Sequence, residues 1–117
     1  MTSTHKPRIV LLEAPETSAS VLYGLYDVLM SAGAVYADMV MGQPGEALLD
    51  ICIASADGKP FHCVGNIPVE PHSALDRLGT PDAVIICDMY TSIYDVPRGR
   101  YPRETAWLAK VHAAGAL

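Results

Sequence analysis

Long apolar runs are missing from this 117-residue chain, and so is an excess of positive charge. Its strongest apolar runs, Ile9–Leu12 and Ala83–Cys87, are far shorter than the roughly 20 residues of a membrane-spanning helix. The first of them follows Lys6-Pro7-Arg8 and is too short for the core of a signal peptide. Eight Lys and Arg face 13 Asp and Glu, a formal net charge of -5. That balance leaves no basic face of the kind a nucleic-acid-binding module uses. Three cysteines at irregular spacing exclude a disulfide scaffold and point to a reducing, cytoplasmic compartment. Neither a Gly-x-Gly-x-x-Gly fingerprint, a phosphate loop nor a Gly-x-Ser-x-Gly elbow occurs, so nucleotide binding and serine hydrolysis have no support. Half of the residues are hydrophobic. A chain of this length then holds one domain with a real core.

The elements follow from the spacing of apolar and turn residues. Ile9–Leu12 is continuous, as in a strand buried on both faces of a parallel sheet. Glu13-Ala14-Pro15-Glu16 breaks it, and Thr17 or Ser18 caps a helix of about 14 residues ending at Gly33. Val21, Leu22, Leu25, Val28, Leu29 and Ala32 recur at helical spacing and define the face expected on the sheet. Tyr23, Tyr26 and Met30 form a second stripe, expected at a subunit interface. Tyr36–Met41 adds a helical turn, and Leu49–Ser55 reads as a strand. Asp57-Gly58 predicts a hairpin back to Phe61–Val64, with Ser55 opposite Pro60 and Cys52 opposite Cys63. Ile67–Val69 is extended. Ser73 with Asp76 resembles a capping box opening a short helix, Ala74–Leu78, closed by Gly79. Ala83–Cys87 is a second buried strand, followed by a loop over 88–99 with Tyr90, Tyr94 and Pro97. Pro102 starts a final helix whose apolar face is Trp107, Leu108, Val111 and Ala114, and Gly115 ends it.

Buried strands that alternate with helices argue for an α/β sheet with right-handed crossovers. Ala116-Leu117 after the closing glycine reads as the start of a further buried strand. We therefore expect the N-terminal part of a domain, continued by a following segment or a second chain. The alternative is a natural end at the helix.

Few residues stand out chemically. Glu13 and Glu16 follow the first strand at its carboxyl end, where open α/β sheets bind ligands. The bland reading makes them charges that complement a helix N-terminus. Cys87 ends the second buried strand with no basic neighbour in sequence. It reads as a small hydrophobe rather than a reactive thiol. Cys52 and Cys63 with His62 lack metal-ligand spacing. Arg98, Arg100 and Arg103 read as a solvated loop.

The ordered set of segments resembles the ThiJ/PfpI branch of the class I glutamine amidotransferase-like superfamily. Within it, the chain looks most like the N-terminal domain of AraC-type transcriptional regulators. The matching stretches are Arg8-Ile-Val-Leu-Leu, Leu22-Tyr-Gly-Leu-Tyr-Asp-Val-Leu, Ile53-Ala-Ser-Ala-Asp-Gly-Lys-Pro-Phe, Ile67-Pro-Val-Glu-Pro-His, Pro81-Asp-Ala-Val-Ile-Ile and Ala106-Trp-Leu-Ala-Lys-Val-His-Ala-Ala-Gly-Ala-Leu. The resemblance implies a flavodoxin-like three-layer sandwich, mostly parallel, with an accessory β-hairpin and incomplete at its C-terminal end. It places the family's nucleophilic cysteine on an elbow just beyond Leu117. Two departures count against catalysis. The family's acidic residue, six positions before the aspartate matched by Asp27, is Val21. The Pro-Gly-Gly that would supply oxyanion donors is replaced by Cys87-Asp88-Met89-Tyr90.

The resemblance thus implies a non-catalytic, dimerising domain that senses a small-molecule effector. The effector is expected near Glu13, Glu16, Asp88 and Tyr90, and the dimer interface at Tyr23, Tyr26 and Met30. DNA would be bound only through a helix-turn-helix region outside this sequence. No cofactor, metal or membrane contact is expected. The alternative is a cysteine-dependent hydrolase or hydratase whose nucleophile lies beyond residue 117.

Overall fold

The computed structural model describes residues 5–96 and 98–117. Residues 1–4 and Pro97 of the expected loop lie outside it. Among the described residues six strands and three helices follow one another as β1 (Arg8–Leu12), α1 (Ala19–Ser31), α2 (Ala34–Met41), β2 (Asp50–Ser55), β3 (Phe61–Cys63), β4 (Ile67–Val69), β5 (Ser73–Ala74), β6 (Ala83–Ile86) and α3 (Pro102–Ala113). A single 3-10 turn, Leu75–Arg77, follows β5. The main sheet is parallel throughout, in the order β5-β2-β1-β6. β3 and β4 form a separate antiparallel hairpin.

Strand periodicity divides the core in two. Val10, Leu12, Cys52 and Ala54 point to one face, where Trp107 and Val111 of α3 cover them together with Leu75 and Ala116. Leu11, Ile51, Ile53 and Cys87 point to the other, against Leu22 of α1 and Cys63 and Val69 of the hairpin. This is the expected α/β sandwich: helix, parallel sheet, helix. β1 lies between α3 on one face and α1 on the other, which is why its run is apolar on both faces.

Several local expectations give way. The Asp57-Gly58 turn exists, but it does not fold β3 back onto β2. Both ladder edges of β2 are occupied, by β1 and by β5, so no edge is left for a hairpin partner. Asp57 Oδ1 instead accepts the Lys59 amide at 3.0 Å, and Ser55 Oγ accepts the Gly58 amide at 3.1 Å. Gly58 has φ 73°, and a Cβ there would sit 2.7 Å from the Ala74 amide nitrogen, so the turn packs tightly on β5. The real hairpin turns at Val64-Gly65-Asn66, closed by the Asn66 amide donating to the Cys63 carbonyl at 3.0 Å. Gly65-Asn66, both at positive φ, makes this turn. Cys52 and Cys63 consequently lie in opposite core clusters, and all three cysteines are free.

The proposed capping box also fails. Ser73 is a strand residue whose hydroxyl donates to the Ala74 carbonyl, and only three residues wind into a 3-10 turn. Ser18 is the N-cap of α1 without a side-chain cap bond. On α1, Leu22 is fully buried while Val28 is 68% exposed. Tyr26 and Met30 pack against the core in its place. The helix therefore lies rotated toward its second stripe. In α3, Ala114 is exposed while Trp107 and Val111 are buried.

This packing predicts unequal costs along α1. Leu22→Ala should destabilise the fold by about 2–5 kcal/mol, the range for emptying a filled core site. Val28→Ala should change it by less than about 0.5 kcal/mol. Urea unfolding followed by circular dichroism separates the two.

Candidate functional site

The carboxyl ends of the parallel strands are bound together by the loop that leaves β1. The Glu13 amide donates to the Ala54 carbonyl at 3.0 Å, extending the ladder one residue past β1. Ala14 and Thr17 then close a turn on each other. The Ala14 amide donates to Thr17 Oγ1 at 3.0 Å, and the Thr17 amide to the Ala14 carbonyl at 2.9 Å. Thr17 is fully buried, and its carbonyl accepts the Val64 amide of the hairpin at 3.2 Å. The loop after β6 is held as well. The Ser18 amide donates to the Asp88 carbonyl at 2.9 Å, and the Tyr90 amide to the Glu16 carbonyl at 2.8 Å. Four segments thus meet at one strand end.

Within this frame Glu13 turns inward. It is 1% exposed, and neither carboxyl oxygen has a hydrogen-bond partner among the described residues. Burial pushes its carboxyl from the ordinary carboxylate range up to about 8. Burial also raises the Cys63 thiol and, to about 11, the Cys87 thiol, and the negative charge of Glu13 adds to both. Neither is a thiolate at neutral pH, so neither is an activated nucleophile. Val21, where the resemblance calls for an acid, packs into the same apolar cluster as these two cysteines.

Glu13 and Glu16 share a cavity of about 350 Å3 at this edge. From β2 and its turn come Ser55 and Asp57, from β3 Phe61, and from the start of α3 Arg100, Tyr101 and Glu104. The Tyr101 hydroxyl donates to Glu16 Oε1 at 3.0 Å, tying α3 to the β1 loop. Glu16 Oε2 is buried without a partner. Arg100 lies 3.5 Å from Asp95. A second, apolar cavity of about 160 Å3 lies beside the first, walled by Leu12, Ile86, Met89 and Leu108, and Glu13 lines both. Among the described residues no cluster of three His, Cys, Asp or Glu could hold a metal ion.

The structure brings together two of the four expected ligand residues. Asp88 and Tyr90 serve the site through backbone bonds, and the Tyr90 side chain is 69% exposed. Neither lines the main cavity. Arg100, Tyr101 and Glu104 arrive from far along the chain, and only the Pro102 helix start hinted at their place. The expected interface stripe is engaged within the domain. Tyr26 lies 5.8 Å from the His72 ring, Met30 packs on the core, and the Tyr23 hydroxyl donates to the Pro68 carbonyl at 3.3 Å. Tyr23 remains 40% exposed.

Because Glu13 is more basic folded than unfolded, the folded state holds an extra proton between the two values, and stability falls as pH rises through that window. The wild-type chain should lose stability from about pH 5 to about pH 8, by at most roughly 1.4 kcal/mol per pH unit. Glu13→Gln should flatten that slope, which thermal melts at a series of pH values would record.

No protein-family model matches the sequence, and no curated protein matches it. Solved structures do match. A DJ-1 superfamily protein from Agrobacterium tumefaciens superposes with a TM-score of 0.58 at 17% identity, over 95% of this chain and 50% of that one. A candidate transcriptional regulator protein from Vibrio parahaemolyticus superposes with a TM-score of 0.65 at 17% identity, over 96% of this chain and 54% of that one. The chain spans about half the length of each. Parallel sheet, flanking helices and accessory hairpin together give this chain a flavodoxin-like α/β fold, the fold of the DJ-1 superfamily structure on which it superposes.

Proposed function

We propose that this chain is a regulatory, effector-sensing and dimerising domain of an AraC-type transcriptional regulator, acting in the cytoplasm without catalysis by its own residues. The observation that carries the reading is the strand-end cavity. It presents a buried, unpartnered carboxyl group, while the thiol nearest the strand end, Cys87, is held protonated. That is an arrangement for binding rather than for nucleophilic attack. The likeness to a candidate transcriptional regulator agrees with it. Among the described residues no helix is long and apolar enough to cross a membrane.

Two partners belong to this reading. The first is a further strand beside β6, supplied by a following segment or a second chain. The Leu117 amide donates to the Asp82 carbonyl at 3.1 Å, and the Leu117 carbonyl accepts the Val84 amide at 2.9 Å. That is the bonding of a parallel strand beginning alongside β6. Ile86 and Leu117 stand exposed over an apolar hollow with Leu108. The second partner is another copy of the chain, docked on the α1 stripe of Tyr23, Tyr26 and Met30. DNA contact is left to a helix-turn-helix region outside these residues.

The same Leu117 bonds favour one alternative, a cysteine-dependent hydrolase or hydratase with its nucleophile just beyond this strand. The coding sequence decides between them. Reading it past Leu117 should show a strand and then a helix-turn-helix region, whereas a stop codon before any such region overturns the regulator. A cysteine on a strand-to-helix elbow, with no DNA-binding region after it, puts the enzyme in its place. For the dimer, sedimentation should show Tyr23→Glu shifting the protein to monomer, and an unchanged mass would remove α1 as the interface.

A further inference from the structure

The geometry points to a small organic cation rich in N–H donors, a primary amine or a guanidinium, as the ligand of the Glu13 cavity. The inference rests on reading this cavity as the effector site. Three buried carboxyl oxygens at the site, Glu13 Oε1, Glu13 Oε2 and Glu16 Oε2, have no hydrogen-bond donor. Buried polar atoms are almost always paired, and an unmet one is costly. A ligand that fits must therefore bring donors, and ammonium and guanidinium groups bring three and five. The lining agrees in charge. Asp57 and Glu104 add two carboxylates to Glu13 and Glu16, against the single guanidinium of Arg100. That guanidinium also faces the carboxylate of Asp95 and the hydroxyl of Tyr101. Acidic groups outnumber the one cation, so an anion would meet net repulsion here. Tyr101 and Phe61 provide aromatic faces for the body of a cation. The volume of about 350 Å3 suits a molecule of amino-acid size.

Binding would also be proton-linked. Glu13 is mostly protonated at neutral pH. Forming an ion pair requires the carboxylate, so its proton leaves to solvent as the cation enters. Affinity should then rise as pH increases from about 6 to about 8, by up to roughly tenfold per unit. The groups that face Glu13 in this range are Tyr23, Cys63 and Cys87, all raised and uncharged, with Glu16, Asp57, Arg100, Tyr101 and Glu104 across the cavity.

The test titrates the protein together with the segment that completes the sheet beside β6, using ethylguanidinium and n-butylammonium, and in parallel butyramide and butyrate, and reads amide shifts by two-dimensional NMR. The expected result is saturable shifts at Ala14, Glu16 and Tyr101 with the two cations, and weak or no response to the neutral and anionic probes. Glu13→Gln should weaken cation binding at least tenfold and remove its pH dependence. If that variant does not fold, Glu104→Gln on the cavity wall should still weaken it several-fold, while Glu46→Gln elsewhere leaves it unchanged. Butyrate or butyramide binding at these amides as tightly as the cations overturns the cation assignment and leaves the effector site standing. No saturable shift at these amides with any probe overturns both. Cation shifts that ignore Glu13→Gln and Glu104→Gln overturn the role given to these carboxylates.

Discussion

A carboxyl group is carried into the interior by a strand that has no freedom to carry it elsewhere. β1 is hydrogen-bonded on both sides, and the ladder runs on through the Glu13 amide to Ala54. With the backbone held there, strand alternation and the Ala14–Thr17 turn decide where the Glu13 side chain goes. It goes where water does not, and no neighbour answers it. An apolar side chain would fill that place at no electrostatic cost. Its raised protonation range follows from this placement, and its charge adds to the rise that burial already gives the thiols of Cys63 and Cys87.

The rest of the architecture holds that strand end in place. Thr17 joins the β1 loop to the hairpin, Ser18 joins it to the loop after β6, and Tyr101 joins it to α3 through Glu16. Each is one hydrogen bond, modest alone. Together they bring segments from four parts of the chain to one rim. This is the usual place for ligands in open α/β sheets, outside the carboxyl ends of the strands. The thiols at that rim are a different matter. Cys63 and Cys87 sit in an apolar cluster with a carboxyl neighbour and no cation, the reverse of what activates sulfur.

The opposite edges of the sheet differ in character. On the β2 side, the short β5 covers the ladder and Gly58 packs against it. On the β6 side, Leu117 has begun to pair while Ile86 stays 54% exposed. An uncovered apolar edge of this kind is a template for another strand. The Glu13 cavity lies close to it, since Ile86 and Leu108 wall the smaller hollow that Glu13 also lines.

The sequence alone determined the alternation of buried strands and amphipathic helices. The continuous apolar runs at Ile9–Leu12 and Ala83–Ile86 both form strands, but only the first is buried, while the second is half-buried and ends on an exposed Ile86; Pro102 and Gly115 bound α3 by backbone chemistry that is local. Glu13 and Glu16 were legible as strand-end acids for the same reason. Pairing was not legible. Asp57-Gly58 and Gly65-Asn66 are both good turn signals, and nothing near either says which strand has a free edge. That depends on β5, two residues long and invisible to any periodicity, occupying the ladder beside β2. Tertiary structure alone likewise turned α1 so that Val28 faces solvent and Tyr26 the core. It alone left Glu13 without a partner, because donors that would answer a carboxylate lie far away in sequence, and only packing sets which of them come within reach.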